Sequence, residues 1–288
     1  RSVKTGEHHV WLNHADGIKR LVSIYIPPTY DSAKRYPLLL SLHGMTMTQS
    51  KTFGKQQLKI AADHFLDGMD WIIVSPSEWE APWFTPAGVS ILEECLSYVK
   101  KRFNIDKDRV FAQGFSDGGT GTWYLAQTIQ DRFAGFISCA GCPGVINASA
   151  PSNFHLNWKN VPILAINGDA DKTYPMEGLR PYLQAVKQDV PQTKWLISKG
   201  LAHANDKLSS KHAKEIVKFA KSHRRNMSPD EINWQCDGQV WNRTFWIEIE
   251  SVANVGNNAA FVQLYREEML MVGFVPDQNF HGKGIRVQ

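Results

Sequence analysis

Gly114-Phe115-Ser116-Asp117-Gly118 follows the short apolar run Val110-Phe111-Ala112 and leads into a helix-like segment through Trp123, Leu125, Ala126 and Ile129. A serine placed on a sharp strand-to-helix turn carries strained backbone angles, and the residues two before and two after it must be small for the turn to close. Both are glycine here. The stretch therefore reads as a strand, a tight turn and a helix with Ser116 at the apex, the repeating unit of chains that alternate strands and helices.

Working outward, Pro37-Leu38-Leu39-Leu40-Ser41-Leu42 reads as a buried parallel strand that ends in His43-Gly44. Trp71 to Ser75, Phe136 to Ser138, Ile163 to Ile166 and Lys194 to Ile197 are further strands. Helical spacing appears at Ile91, Leu92, Cys95, Leu96 and Val99, and again near Leu179, Leu183 and Val186. An antiparallel pair, His8–Leu12 with Leu21–Ile26, is expected at one edge. The fold class is α/β, with a doubly wound, mostly parallel sheet.

Open sheets of this class build their sites at the carboxyl ends of the strands. The run at Ile163 ends in Asn167-Gly168-Asp169-Ala170-Asp171, and the run at Trp195 leads into Gly200-Leu201-Ala202-His203. A serine, two candidate carboxylates and a loop histidine thus fall at one edge, in that order along the chain.

At these residues the chain resembles the α/β-hydrolase superfamily, and within it the esterase group that holds feruloyl esterases, acetylxylan esterases and polyhydroxybutyrate depolymerases. The resemblance rests on Ile24-Tyr25-Ile26-Pro27-Pro28 with Tyr30, Tyr36 to Leu40 leading to Leu42-His43-Gly44, GFSDGG from Gly114, GDADKTYP from Gly168, and His203; it covers roughly the first 225 residues. Two departures stand out. Leu201-Ala202-His203-Ala204 lacks the glycine and tryptophan that often flank the family histidine, and Asp117 stands where many members carry another residue.

The resemblance implies a serine esterase with a Ser116, His203, Asp171 triad and an acyl-enzyme, acting on acylated carbohydrate, aromatic ester or polyester. A serine hydroxyl is a weak nucleophile at neutral pH, so it needs a base in hydrogen-bond reach and an orienter for that base. His203 would take the Ser116 proton and Asp171 would fix the imidazole tautomer; the family's G-x-x-D pattern favours Asp171 over its rival Asp169. The oxyanion hole is expected from the backbone amides of Asp117 and Met45, with His43 supporting that loop. Trp79, Trp83 and Phe84 form a dense aromatic group outside any periodic element, which reads either as a substrate wall or as a loop folded on its own apolar residues. Two alternatives stay open: a serine peptidase of the same fold, and a non-catalytic binding protein that retains it.

The 288 residues, 43% of them hydrophobic, suffice for one large core and a small appendage. The expected division is a catalytic domain over 1–225 and a β-rich module over 226–288, where Arg243 to Val252 alternates as a half-buried strand does. Net charge is +4, with seven Lys or Arg against one Glu between Lys207 and Arg225; on a helix with Ile216, Val217 and Phe219 inward these form a solvated face. No run approaches the ~18 apolar residues of a membrane span. His8, His9 and His14 read as exposed, and no histidine or cysteine spacing matches a metal motif. No cofactor, metal or nucleic-acid partner is expected, and the partner is an ester, small or polymeric. The chain starts at Arg1 without Met, which reads as a processed or trimmed product, and the resemblance implies a secreted or periplasmic protein. Cys95, Cys139, Cys142 and Cys236 leave a disulfide open.

Overall fold

Alternating apolar residues in the strand runs feed two separate cores, one on each face of a single large sheet. The computed structural model describes residues 4–46, 53–65, 70–149, 154–236, 241–249, 260–265 and 285–287. In chain order the first half comprises β1 (Gly6–Asn13), β2 (Lys19–Ile26), β3 (Tyr36–Leu42), α1 (Phe53–Phe65), β4 (Ile72–Pro76), α2 (Pro86–Arg102), β5 (Ile105–Phe115) and α3 (Asp117–Thr128). Then follow β6 (Gly135–Cys139), α4 (Pro143–Ser149), β7 (Ile163–Gly168), α5 (Met176–Asp189), β8 (Lys194–Ser198), α6 (Asn205–Lys211) and α7 (Ala213–Ser222).

The eight strands lie in the order β1-β2-β4-β3-β5-β6-β7-β8. β1 and β2 pair antiparallel at the edge, β2 meets β4 antiparallel, and every later pairing is parallel. Leu38, Leu40, Val74, Val110 and Ala112 face a core shared with α2, α3 and Val186 of α5. Leu39, Ile73, Phe111, Ile137 and Leu164 face the other, against α1, α6 and α7. The period of two along each strand is what allows both faces to be covered. α1 falls outside the sequence pattern read above: its buried residues Gln57, Leu58 and Ala61 are interleaved with Lys55, Gln56 and Lys59, which blurs the apolar stripe.

From β3 the chain moves to β4 on one side and then to β5 on the other. Such a reversal leaves a crevice at the carboxyl ends of the two strands. His43 follows β3 and Ser116 follows β5, so both stand at that crevice.

The basic stretch forms two helices, α6 and α7, with Ile216, Val217, Phe219 and Ala220 inward. Three sequence expectations need correction. His14 is buried and sits 2.5 Å from Glu94 of α2 rather than in solvent. Arg243 to Val252 is not one strand: β9 (Glu231–Cys236) is followed by β10 (Arg243–Thr244) and β11 (Ile247–Ile249), which pair antiparallel around a turn where Phe245 has φ 48°. A positive φ at a bulky residue cannot continue an extended run; Glu250 to Val252 lie outside the described residues. Ser228-Pro229-Asp230-Glu231, which by composition reads as a linker or turn, gives up its last residue to β9, which Glu231 opens. β12 (Ala260–Tyr265) pairs with β9, and β13 (Ile285–Val287) with β11. Ile232, Trp234, Cys236 and Ile247 make a small third core. β9 is laced to the 3-10 turn His155–Asn160: the Gln235 amide donates to Asn157 (2.6 Å) and the Asn233 amide to Asn160 (2.7 Å). All four cysteines are buried, and Cys95, Cys139 and Cys142 are free thiols.

Candidate active site

Ser116 has φ 56° and ψ −114°, the strained conformation its turn predicted. Both flanking glycines are sterically required. A Cβ on Gly114 would lie 2.1 Å from the Gly118 carbonyl oxygen, and one on Gly118 would lie 2.4 Å from that of Leu42. The Ser116 amide donates to the Cys139 carbonyl at 2.9 Å, tying the apex to β6, and α3 begins at the next residue.

The structure brings Ser116, Asp171 and His203 together. His203 Nε2 lies 2.8 Å from Ser116 Oγ, and its Nδ1 lies 2.7 Å from Asp171 Oδ2. Since Nδ1 donates to the carboxylate, Nε2 is left to accept the serine proton in the neutral ring. Asp171 is buried, and its Oδ1 accepts the amides of Thr173 (2.8 Å) and Tyr174 (2.9 Å). Asp169 is engaged elsewhere, accepting the Gly200 amide at 2.6 Å and so holding the turn ahead of the histidine loop. The His203 ring packs between Phe115 and Tyr174, with centroids 4.8 and 5.5 Å away. Just beyond it, Asn205 donates to Gln57 of α1 at 2.9 Å, and Gln57 donates to Ser41 and shares Gln113 beneath the site.

The opposite wall is built from buried polar groups. His43 Nε2 accepts the Glu78 amide at 3.0 Å, so the ring proton is on Nδ1, which donates to the Gly44 carbonyl at 2.7 Å. Burial pushes this imidazole down to about 4, and it stays neutral. A trans peptide points its C=O and N–H in opposite directions, so capture of the Gly44 oxygen turns the Met45 amide away from the His43 ring. The same segment lies against the nucleophile, for a Cβ on Gly44 would come 3.2 Å from Ser116 Cβ. Glu78 Oε1 accepts three successive amides, Trp79 (2.7 Å), Glu80 (2.6 Å) and Ala81 (3.1 Å), while Oε2 pairs with the buried Arg20 guanidinium of β2. Trp83 donates its indole N–H to the His43 carbonyl at 2.9 Å and packs edge-on against that ring.

Between the walls opens a cavity of about 380 Å³ that Met45, Trp79, Trp83, Phe84, Asp117 and Tyr174 help to line. Trp83 and Phe84 are nearly inaccessible, whereas Trp79 is partly exposed. Asp117 is buried, and desolvation pushes its carboxyl up to about 6, opposed by the Trp83 amide. Tyr174, Glu78 and Arg20 were not singled out from the sequence. Tyr174 lies within the GDADKTYP stretch and follows the carboxylate closely, the one available hint. Among the described residues no group of His, Cys, Asp or Glu is arranged to hold a metal ion, and no helix is long and apolar enough to cross a membrane.

Residues 15–228 match the Esterase family model, described as "Putative esterase". The chain is 28% identical over 174 residues to the bifunctional acetylxylan esterase/xylanase XynS20E of Neocallimastix patriciarum, covering 58% of this chain and 24% of that protein. It is 30% identical over 146 residues to dipeptidyl-peptidase 5 of Porphyromonas gingivalis, covering 46% of this chain and 20% of that one. The chain thus spans a fifth to a quarter of the length of these curated relatives. In architecture it is similar to a crystal structure of a thermostable esterase, with a TM-score of 0.63 at 15% identity over 76% of this chain and 63% of that one.

Proposed function

Because the chain belongs to the Esterase family, we propose that it is a serine carboxylic-ester hydrolase in which Ser116 is the nucleophile, His203 the general base and Asp171 its orienter. The contact that carries this reading is the continuous series from Ser116 Oγ through His203 to Asp171, at 2.8 and 2.7 Å. Ser116 Oγ adds to the ester carbonyl as His203 Nε2 takes its proton. The developing oxyanion is held by the amides of Asp117, at the N-terminus of α3, and Met45; each such donor is typically worth about 10² to 10³ in turnover. Collapse expels the alcohol, protonated by His203, and leaves an acyl-enzyme that water, activated by the same imidazole, then hydrolyses. The cavity and Trp79 favour an acylated carbohydrate, aromatic ester or polyester as substrate, in line with the resemblance to acetylxylan esterase. Residues 226–288 are proposed as a separate β-rich module, since the family match ends at 228.

The similarity to a dipeptidyl-peptidase supports a second reading, a serine peptidase. A fluorophosphonate probe should label the protein and spare Ser116→Ala. In a panel of p-nitrophenyl esters and peptide p-nitroanilides, hydrolysis should be confined to the esters. Labelling that persists in Ser116→Ala refutes the assigned nucleophile, and turnover of the anilides alone favours the peptidase.

A further inference from the structure

Asp117 has a side chain that the proposed reaction does not use. Its carboxyl lines the cavity one residue from the nucleophile, so it lies close to where the acyl carbon is attacked. Among the described residues that line this cavity there is no lysine or arginine. Glu78 is fully occupied by Arg20 and three amides, and His43 is uncharged. Glu80 stands exposed at the rim and adds a second negative charge. Among the described residues no cation contributes at Asp117, and the Trp83 amide favours its charged form.

Ester hydrolysis turns a neutral substrate into an anion at this place. Water adds to the acyl-enzyme carbonyl, the bond to Ser116 Oγ breaks, the serine regains its proton through His203, and the released acid ionises to a carboxylate. Both the charged product and any ester bearing its own carboxylate would meet Asp117 in a low-dielectric cavity, where like charges repel more strongly than in water.

We propose that the Asp117 carboxylate makes this cavity a charge filter, admitting neutral and cationic esters while rejecting anionic esters and expelling the carboxylate product. The inference rests on the reading of Ser116 as an ester-hydrolysing nucleophile. Among the described residues, Tyr174, Cys142, His203, Glu78, Glu80 and His43 are the other titratable groups facing the cavity or the nucleophile. Of these His203 is the proposed base for either ester, so the informative quantity is a ratio of rates from which the base cancels. Below pH about 6 Asp117 gains a proton and the filter should relax.

The experiment compares kcat/KM for p-nitrophenyl butyrate and p-nitrophenyl hemisuccinate, with butyrate as product inhibitor, at pH 8 and pH 5. The wild type should favour the neutral ester at pH 8, and that preference should shrink at pH 5. Asp117→Asn, which keeps an acceptor for the Trp83 amide, should narrow the ratio at pH 8 by about tenfold and tighten butyrate inhibition by a similar factor. Asp117→Glu should retain the preference. An unchanged ratio and unchanged butyrate inhibition in Asp117→Asn overturn the filter, as does a wild-type ratio that is flat between the two pH values should the variant fail to fold. Loss of all turnover of the neutral ester by the wild type overturns the esterase reading instead, so the two failures are distinguishable.

Discussion

The two walls of the cavity are held by different physics. On one, Ser116, His203 and Asp171 come from the ends of β5, β8 and β7, and their functional atoms face each other. On the other, Arg20, Glu78 and His43 hold backbone: a buried guanidinium fixes a carboxylate, which fixes a loop whose amide fixes an imidazole, which fixes the Gly44 carbonyl. In the proposed mechanism the first wall does chemistry through side chains and needs little besides strand ends to place it. The second would aim a main-chain amide, and that requires several desolvated polar groups in series. Damage to the first should therefore remove activity and leave folding intact, whereas damage to the second should cost stability along with activity.

The sharpest break in this contrast is expected within one loop. Asp171→Asn removes the charge proposed to orient His203 and should lower kcat by roughly 10⁴-fold, with the denaturation midpoint little changed. Asp169→Asn, two residues away, alters only the clamp on Gly200 and should cost less than about tenfold, as expected of a single hydrogen bond. Steady-state kinetics on both variants check this. A loss in Asp169→Asn as large as that in Asp171→Asn would put the orienting carboxylate at the wrong residue.

On the other wall, Glu78→Gln removes the buried carboxylate partner of the Arg20 guanidinium and leaves it only the more exposed Asp16, at 2.8 Å. Breaking a buried pair outright costs about 3–5 kcal/mol; with Asp16 retained the loss should stay below that, and chemical denaturation would read it directly. In the proposed mechanism the Met45 amide then loses its support, so activity should fall alongside stability. The substitution is predicted to change kcat far more than KM, because the proposed oxyanion donor would act in the transition state. A stable, fully active Glu78→Gln protein would dissolve the distinction between the walls.

The same division decides what was legible in the sequence. Ser116 announces itself because the backbone turn demands glycine at 114 and 118, and the Cβ clashes there are severe. Asp169, Asp171 and His203 follow because they sit where apolar strands stop, and the family resemblance favours Asp171 over Asp169. Glu78 is different: it is an ordinary residue after an ordinary strand, and its meaning lies in Arg20, 58 positions earlier. Tyr174 likewise gains significance only by packing on His203. α1 was hidden because Gln57, polar by type, is buried to serve Ser41, Gln113 and Asn205. The single strand expected at Arg243 failed for a backbone reason, the positive φ of Phe245, which period-two alternation does not encode.

The smallest expected effect sets the two walls against each other in their response to pH. His43 is depressed from 6.5 to about 4, so its contribution is fully present above pH 6.5 and is lost as pH falls toward 4, because the unfolded chain binds the proton first. Asp117 is raised from 3.8 to about 6, so its contribution has the opposite sign: it is present below 3.8 and is lost as pH rises through 6. Each contribution is about 3 kcal/mol, because a tenfold difference in proton affinity between the folded and unfolded chain corresponds to roughly 1.4 kcal/mol. Between pH 4 and 6 the two slopes oppose, and in the wild type they largely cancel. Asp117→Asn removes one of them. The variant should be about 3 kcal/mol more stable than the wild type at pH 8, the gap should close between pH 6 and 4, and the variant alone should show the steep acid loss due to His43. Urea denaturation midpoints at pH 8, 6 and 4 for both proteins measure this, and a stability gap that is constant across that range would mean that Asp117 is not held in the desolvated state on which its charge effect depends.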